Sequence, residues 1–484
     1  MNNTSNMRWV KHFFVIELCV AAFLLLFYIS CGQELYSRAS NGNVKEFSST
    51  NDIGELTSNM SVAQTYSSQM DSLQSIGVML SNYGKEIGST VRISCEICST
   101  GEIIGEQTYQ SNDIGVNQYV FLNFDEPREL SRGEQLKITI TSDAAAGDAP
   151  TVLFHVDQML NGAMASNSSF SVNGEMIQGT LCFVATGRDY VWTGPNYWKL
   201  SLLALSVVAI AFWMAVYKHR RGKKDYLFSV AAVIKKYEFL IKQLVSRDFK
   251  VRYKRSVLGV CWSFLNPLLM MMVQYLVFSH LFKSDIDNYP VYLLSGVVVF
   301  NFFTEATGQA LLAIVGNASL ISKVYMPKYV YPVTKVLSSC INLFMSLIPL
   351  FIVAAITHES FTRAYLMLPY ILLCVLGFTL GMGMLLCTMM VFFRDIQFLW
   401  GVISMLWTYL TPIFYPITII PQDIRPLFYC NPMYQYVSAV RSIMMDGITP
   451  QPIVFFTCTI AAVFMLLIGG FVFKKNQDKF IFYI

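Results

Sequence analysis

The sequence is poor in charge and lacks the loop by which many ATP-driven proteins hold nucleotide phosphates. Only 14% of its 484 residues are Asp, Glu, Lys or Arg, whereas 54% are hydrophobic. A water-soluble chain of this length would need more charge to stay in solution, so the lipid bilayer is part of the fold. No G-x-x-x-x-G-K-[ST] motif occurs. The chain therefore cannot hydrolyse ATP by that route, and we predict no catalytic residue in it.

Signatures of glycosyltransferases and metal sites are also scarce. No paired carboxylates or Asp-x-Asp motif lie on a sizeable predicted cytoplasmic loop, which argues against a membrane glycosyltransferase. Cys95 and Cys98 form a CxxC, but residues three apart on a strand point to opposite faces, which disfavours both a local disulfide and a zinc site. No second CxxC or histidine pair supports a metal. A disulfide from one of these cysteines to Cys182 is left open.

Long apolar stretches are abundant instead. A membrane-spanning helix needs ~20 mainly apolar residues, because lipid offers the backbone no hydrogen-bond partners. The first stretch is either an uncleaved anchor or a signal peptide, and its near-membrane length favours the anchor. Glu17 within it either packs against another helix or snorkels to the cytoplasmic surface. The predicted spans are 13–31, 198–217, 258–282, 291–315, 330–356, 365–392, 397–419 and 452–473.

The charges are distributed unevenly along the chain. Residues 32–196 contain 19 acidic and 8 basic residues, whereas residues 218–255 contain 3 acidic and 13 basic residues. Lys and Arg tend to stay on the cytoplasmic side of a membrane protein. We therefore expect 32–196 to be extracytoplasmic, 218–255 to be cytoplasmic, and both termini of this eight-span chain to be cytoplasmic.

The region between the first two spans is predicted to hold a β domain. Residues 33–68 are rich in Ser, Asn and Thr and are expected to be loosely structured. From about residue 70, short strand-like runs separated by turn signals indicate an all-β two-sheet sandwich or jelly roll. Such a domain either binds carbohydrate or serves as a spacer or assembly module, and fold analogy alone does not decide between them. The runs are 91–95, 119–124, 135–140, 152–156 and 181–184.

The basic segment 218–255 has two parts. Residues 218–224 form a stop-transfer cluster beside the membrane. Residues 236–255 read as an amphipathic helix that lies in the interface plane, with a solvated helix as the alternative. Its predicted apolar side is Tyr237, Leu240, Ile241, Leu244, Val245 and Phe249, and its basic side includes Lys242, Arg247, Lys250 and Arg252.

Three motifs carry a family resemblance. They are Gln243–Gly259 followed by Trp262–Leu268, then Leu320–Lys328, then Phe414–Pro416 leading to Arg425–Pro432. Together they resemble the membrane domain of ABC exporters of polysaccharide and polyol phosphate, the type-2 permeases that export O-antigen and teichoic acid. The resemblance covers about 225–484 and leaves 1–224 outside.

The resemblance implies an α-helical polytopic membrane protein whose residues 256–484 form a six-helix permease domain, with an amphipathic gate helix and re-entrant helices. It implies a homodimer in the bacterial cytoplasmic membrane that exports a lipid-linked polysaccharide of O-antigen, capsule or teichoic-acid type. No cofactor is expected in this chain, since ATP and magnesium would bind two separate ABC ATPase subunits. The remaining predicted parts are an anchor at 1–31, the outer domain at 32–196, a second span at 197–217 and the linker with gate helix at 218–255.

Three groups of site residues follow from the resemblance. Headgroup contacts on the gate helix, where the alternative is a purely topological role, are predicted at Arg247, Lys250, Arg252, Lys254 and Arg255. Coupling to the ATPase, where the alternative is a plain connecting loop, is predicted at Leu320, Lys323, Tyr325, Met326, Pro327 and Lys328. A sugar-stacking path, where the alternative is an interfacial aromatic belt, is predicted at Trp262, Tyr409, Phe414, Tyr415, Tyr429 and Tyr434.

One carboxylate, Glu305, lies well inside a predicted span and should face the bundle interior or a dimer interface. A secondary transporter is disfavoured, because the two halves show no inverted-repeat pattern. A sensor or scaffold would leave the second and third motifs unexplained. Export of small amphiphiles is the main alternative within the exporter class.

Overall fold

The computed structural model describes residues 3–42, 51–85, 87–156, 168–220, 226–253, 259–278, 288–323, 326–421 and 424–483. The chain divides into two compact units. One consists of Gln33–Trp198, and the other combines Met1–Gly32 with Lys199–Ile484. We call the first the β unit and the second the membrane unit.

The described part of the β unit is built from antiparallel strands in two sheets. The first sheet has the order β1-β13-β4-β9-β12, with β2 paired to β9 and β7 paired to β4, and the second has the order β11-β10-β3-β8-β5-β6. The strands are β1 Ser37–Gly42, β2 Asn51–Asp52, β3 Ser61–Ser67, β4 Ser72–Ser81, β5 Thr90–Ile97, β6 Ile103–Gln110, β7 Gln118–Glu129, β8 Gln135–Ser142, β9 Thr151–His155, β10 Ser169–Val172, β11 Glu175–Ile177, β12 Thr180–Leu181 and β13 Phe183–Tyr190.

The two sheets share one apolar core. Along β8 every second residue is buried, as expected where one strand face meets a core. Ile138 and Ile140 of β8 belong to the same buried cluster as Ile76 and Val78 of β4 in the other sheet. The expected sandwich architecture is therefore present, and the five predicted strand runs coincide with or overlap strands.

The expectation of loose structure over 33–68 is wrong for the described strands β1 and β3 within that range. Strand β3 lies between β10 and β8 inside the second sheet. Val62 and Tyr66 are buried in the core, and the side chain of Gln64 accepts a hydrogen bond from the Leu181 backbone N–H at 3.0 Å. The polar composition of β3 hid its alternation of more and less buried residues, because one of the buried positions is the hydrogen-bonded Gln64.

The cysteines of the β unit are free thiols. Cys95 is buried and Cys98 is exposed, which agrees with the expected placement on opposite faces. Cys182 is buried and also free, so the disulfide considered above is not formed. Burial raises the pKa of Cys95 and of Cys182 to about 12, which keeps both in the weakly reactive thiol form.

The membrane unit is helical throughout its described part, apart from connecting turns. Apart from the amphipathic α3, its longest helices correspond to the apolar stretches of the sequence. The helices are α1 Asn3–Cys31, α2 Thr193–Arg220, α3 Tyr226–Tyr253, α4 Trp262–Phe278, α5 Tyr289–Leu311, α6 Ala318–Lys323, α7 Val330–Ile356, α8 Leu368–Phe392, α9 Ile396–Leu410, α10 Arg425–Tyr429, α11 Pro432–Met444, α12 Pro452–Asn476 and α13 Phe480–Tyr483.

Several of these helices are suited to a bilayer. Among the described residues, 5 helical segments are long and apolar enough to cross a membrane, and they coincide with five predicted spans. Shorter apolar helices occupy the other three, at Glu17–Cys31, Trp262–Phe278 and Ile396–Leu410. The predicted span 397–419 is too long: α9 ends at Leu410, because Pro412 and Pro416 cannot continue a helix.

Helix α5 lies at the centre of the membrane unit, packed against α4, α7, α8 and α11. Beside it, α8 and α12 cross at very short range. A Cβ atom added at Gly469 would lie 2.0 Å from the carbonyl oxygen of Gly381, so only glycine permits this approach. Small residues at such crossings allow the close backbone packing that holds membrane helices together.

Helix α1 also packs into the membrane unit, although it precedes the region of family resemblance. The Phe23 ring stacks on Tyr370 of α8 with centroids 4.6 Å apart, and Phe27 meets Phe455 of α12 at 5.0 Å. The Ser30 and Thr449 hydroxyls lie 3.0 Å apart and share a hydrogen bond. Aromatic and polar contacts of this kind are the usual attachments of a membrane helix to its neighbours.

Candidate functional site

The amphipathic segment forms helix α3, which we call the gate helix. It begins at Tyr226, ten residues before the predicted start, and ends at Tyr253. All six residues of the predicted apolar side are partly buried, and all four named residues of the basic side are exposed by their overall accessibility. The predicted amphipathic pattern is confirmed. Two of the five predicted headgroup contacts, Lys254 and Arg255, lie outside the described residues.

One face of the gate helix is attached to α7 by charge. The Lys335 ammonium donates to the Asp248 carboxylate at 2.7 Å, and the neighbouring Arg247 donates to the same carboxylate at 3.0 Å. Partial burial would raise the pKa of Asp248, but the hydrogen bonds from Lys335 and Arg247 outweigh this effect and lower it. Asp248 is therefore held ionised at neutral pH as an anchor between two helices.

A second attachment leads to α5. The Arg252 guanidinium donates to Oε1 of Glu305, the carboxylate predicted to face the bundle interior or a dimer interface. The same oxygen accepts hydrogen bonds from Gln309 at 2.9 Å and from Asn342 at 2.8 Å. The Ser339 hydroxyl lies 3.4 Å away. Glu305 thus faces other helices of the unit, and a set of donors stabilises its charge.

A cavity of about 290 Å³, lined by both polar and apolar residues, opens beside this pair. It brings together Arg252, a predicted headgroup contact, and Trp262, a predicted path aromatic. Its full lining is Arg252, Trp262, Ser263, Asn266, Pro267, Val298, Asn301, Phe302, Glu305, Asn342, Leu343 and Ser346. Amides and hydroxyls at this depth mark a place that accepts polar groups, because lipid-facing positions would exclude them.

The predicted coupling residues lie around α6 and the turn that follows it. Leu320 and Met326 pack against a buried cluster that includes Tyr331 and Phe480. The Lys328 ammonium donates to the backbone oxygen of Gln477 at 2.5 Å, so the C-terminal segment supports the turn. Pro327 is partly exposed beside them. Tyr325 lies outside the described residues, as does the side chain of Lys323.

The proline-rich stretch after α9 is irregular, as predicted, and its backbone is held by side chains. The Tyr289 hydroxyl donates to the Phe414 oxygen at 2.6 Å, and the Tyr292 hydroxyl donates to the Tyr415 oxygen at 2.7 Å. The Asn431 amide donates to the Leu410 oxygen at 3.1 Å. Such partners are what irregular backbone needs where water is scarce.

Arg441 of α11 is central to this arrangement and was missed by the sequence reasoning. Its fully buried guanidinium donates to the oxygens of Pro412 at 2.7 Å and Ile413 at 2.9 Å. It also lies 3.4 Å from the centre of the Tyr292 ring. A basic residue within the otherwise uncharged α11, close after a proline-rich stretch, was the available signal. Its role is to bind backbone oxygens.

The predicted path aromatics do not form one continuous surface. Tyr409 and Tyr429 are exposed, whereas Tyr434 is buried. Phe414 stacks on Phe278 of α4 at 5.4 Å. The Tyr415 hydroxyl donates to the Tyr409 backbone oxygen at 2.5 Å. The rings also meet in pairs, Tyr409 with Phe414 at 6.4 Å and Tyr429 with Tyr434 at 5.8 Å, so each pair joins an exposed ring to a less exposed one.

Sequence comparisons agree with this geometry. Residues 239–445 match the ABC-2 type transporter family. The O-antigen export system permease protein RfbA of Myxococcus xanthus is 30% identical over 247 residues, 50% of this chain and 95% of the relative. An O-antigen export permease of Klebsiella pneumoniae is 28% identical over 50% of this chain and 93% of the relative. The capsule polysaccharide export inner-membrane protein CtrC of Neisseria meningitidis is 22% identical over 42% and 78%, respectively.

Several long apolar helices, a preceding amphipathic helix and an irregular segment held among helices define a multi-pass membrane protein of the permease class. The chain belongs to the ABC-2 type transporter family. The family match begins inside the gate helix at residue 239, so α1, both sheets and α2 lie outside it.

Proposed function

We propose that this chain is the membrane-spanning subunit of an ATP-driven exporter that moves a lipid-linked polysaccharide, of O-antigen, capsule or teichoic-acid type, across the bacterial cytoplasmic membrane. The observation that carries the proposal is the similarity to O-antigen export permeases over nearly their whole length. The gate helix adds physical support, because its exposed cations suit an anionic lipid headgroup while its apolar side suits the membrane interface.

We further propose that two copies of this chain assemble with two ABC ATPase subunits. The family relationship supports an ATPase partner. The coupling contact would be the turn containing Met326, Pro327 and Lys328. This turn packs against Tyr331 and Phe480, through which a movement of the ATPase would be transmitted to the membrane core. Replacing Pro327 by Gly should abolish transport and leave membrane insertion intact. Persistent export in that variant would refute the coupling role.

The main test uses the chain purified together with its ATPase partner and reconstituted in nanodiscs. ATP hydrolysis is measured with and without a lipid-linked oligosaccharide. Stoichiometric co-purification with glycan-stimulated hydrolysis would support polysaccharide export. Stimulation only by small amphiphiles would favour the efflux alternative, and absence of any ATPase partner would refute the exporter.

We also propose that the β unit lies outside the cytoplasm and both termini inside, as the charge distribution suggests. Cys98 offers a natural probe, because its thiol is exposed while Cys95 and Cys182 are buried. In spheroplasts with a Cys430→Ser variant, which lacks another exposed thiol, a membrane-impermeant maleimide should label Cys98, and adding Cys98→Ser should remove that label. Labelling of Cys98 only after the membrane is permeabilised would reverse the proposed orientation.

A further inference from the structure

Two charge contacts attach the gate helix to the membrane core, one helical turn apart. Asp248 pairs with Lys335 of α7, and Arg252 pairs with Glu305 of α5. Residues four apart lie on the same side of a helix, so both contacts point into the core. Their polarity is opposite, since the gate helix supplies the anion in the first and the cation in the second. An anionic ligand can therefore replace the core partner only at Arg252.

Glu305 has hydrogen-bond partners besides Arg252. A carboxylate stripped of every partner in a site of low dielectric is strongly disfavoured. Here Gln309, Ser339 and Asn342 also contact the same oxygen, at 2.8–3.4 Å, so these hydrogen bonds do not depend on Arg252. Separation of the pair therefore leaves the Glu305 carboxylate with hydrogen-bond donors.

The cavity beside the pair provides space into which the Arg252 side chain can turn. Its side chain is 32% exposed and lines the cavity, together with the side chains of Asn266 and Asn301. A guanidinium binds a phosphate through two parallel hydrogen bonds, a geometry that the single oxygen of Glu305 used here does not provide. Amide groups such as Asn266 and Asn301 can donate to the remaining phosphate oxygens.

We propose that the Arg252–Glu305 pair is a charge latch, which holds the gate helix against α5 until a phosphate group on the transported lipid takes Arg252 from Glu305. The Asp248–Lys335 pair stays closed and acts as the pivot. The latch rests on the proposed function and adds to it the step that makes gate opening depend on the substrate headgroup. Glu305 is accordingly a positioning residue, since it acts through Arg252.

The test uses the full chain in nanodiscs and follows hydrogen exchange in residues 236–253, a measurement that needs no ATPase. Glu305→Gln keeps the shape but removes the charge, so exchange in the gate helix should become roughly fivefold faster, the lower end of typical coupling factors. Lys242→Gln is the control, because it removes only a solvent-exposed pair with Glu238 on the same helix. Exchange in α8 and α12 should be unchanged in both variants.

A second variant tests the contact with Glu305 separately from the contact with phosphate. Arg252→Lys keeps a cation opposite Glu305 but loses the two-pronged phosphate geometry. Its gate helix should exchange like the wild type without ligand, and should respond to polyprenyl pyrophosphate only at higher concentrations than the wild type needs. Inorganic pyrophosphate in the buffer serves as a parallel probe. If it accelerates exchange equally, free phosphate rather than the lipid headgroup releases the latch.

The outcomes are distinct. The latch is refuted if Glu305→Gln exchanges like the wild type, or if neither pyrophosphate probe accelerates exchange in the wild type. If hydrogen exchange in the gate helix rises as expected but lipid-linked glycan fails to stimulate ATP hydrolysis by the complex, the latch is supported and the proposed polysaccharide export is refuted. Faster exchange in Lys242→Gln would also refute the latch, since any lost charge would then suffice.

Discussion

Helices α2 and α5 are similar in composition and opposite in surroundings. The apolar stretch of α2 has a mean hydropathy of 1.6 and that of α5 has 1.3, yet 11% of the former and 78% of the latter is buried within the protein. In water the more apolar helix would be expected inside. In a bilayer, lipid is as apolar as the core, so packing and polar contacts decide which helix is enclosed. The polar residues of α5, including Glu305, mark it as the interior helix.

The largest effect should separate two neighbouring glycines of α12. Gly469→Ala places a methyl group against the α8 backbone and should destabilise the protein by about 3 kcal/mol, the upper end for overpacked cores. Gly470→Ala meets no atom within 4 Å and should be neutral. The midpoint of heat-induced loss of monodisperse protein in detergent measures both. Equal midpoints would show that the α8–α12 crossing is looser than described.

Next comes the direct comparison of α5 with α2. Phe303 is fully buried and contacts the rings of Phe378, Trp400 and Trp407, so Phe303→Ala should cost about 3 kcal/mol, the lower end for a truncated buried Phe, through lost packing. Leu202→Ala, at a position 71% exposed on α2, should change the same melting midpoint little. A larger loss at Leu202 would mean that α2 has a protein partner in the assembled transporter.

A smaller effect is expected at the buried cation of α11. Arg441→Met leaves the Ile413 oxygen without its donor, but it also removes the desolvation cost of the guanidinium, so a net loss of about 1.5 kcal/mol is expected. Arg425→Met is the comparison, because Arg425 donates to the Ile420 oxygen from a position that is only partly buried. Limited proteolysis near residue 413 should increase in the first variant and remain low in the second.

The smallest effect should come from α1. Phe27→Ala removes an edge-to-face contact with Phe455 worth about 1 kcal/mol, whereas Leu18→Ala alters an exposed position. Co-purification of a separately expressed α1 segment with the rest of the chain would report on the interface directly. Equal binding by both variants would show that α1, like α2, faces mainly lipid.

Local features of the fold were predictable because composition and periodicity are local. The apolar stretches became helices, and the amphipathic pattern of the gate helix held at all ten named positions. Long-range pairs were not predictable. Arg252 and Glu305 are 53 residues apart, and no spacing rule joins an interfacial cation to a carboxylate in another helix.

The same limit applies to the misjudged segments. Strand β3 looked like loop because its buried Gln64 is polar, and the partner that satisfies it is 117 residues away. The end of α9 was placed too late because hydropathy continues past Leu410 while proline chemistry stops the helix. The roles of the gate and coupling residues remain predictions that the experiments above address, and the role of the path residues also remains a prediction.

The contact between Ser30 and Thr449 has a consequence for biosynthesis. These residues are 419 positions apart, so the ribosome must add that many residues after α1 has emerged before the interface can form. At translation rates of about 5–20 residues per second, the delay is roughly 20–80 s. During the early part of that interval, before Tyr370 and Phe455 have been made, Phe23 and Phe27 lack these aromatic partners. Slowing translation between α1 and α12 should therefore lengthen the period in which the nascent chain is open to the cell's quality-control proteases.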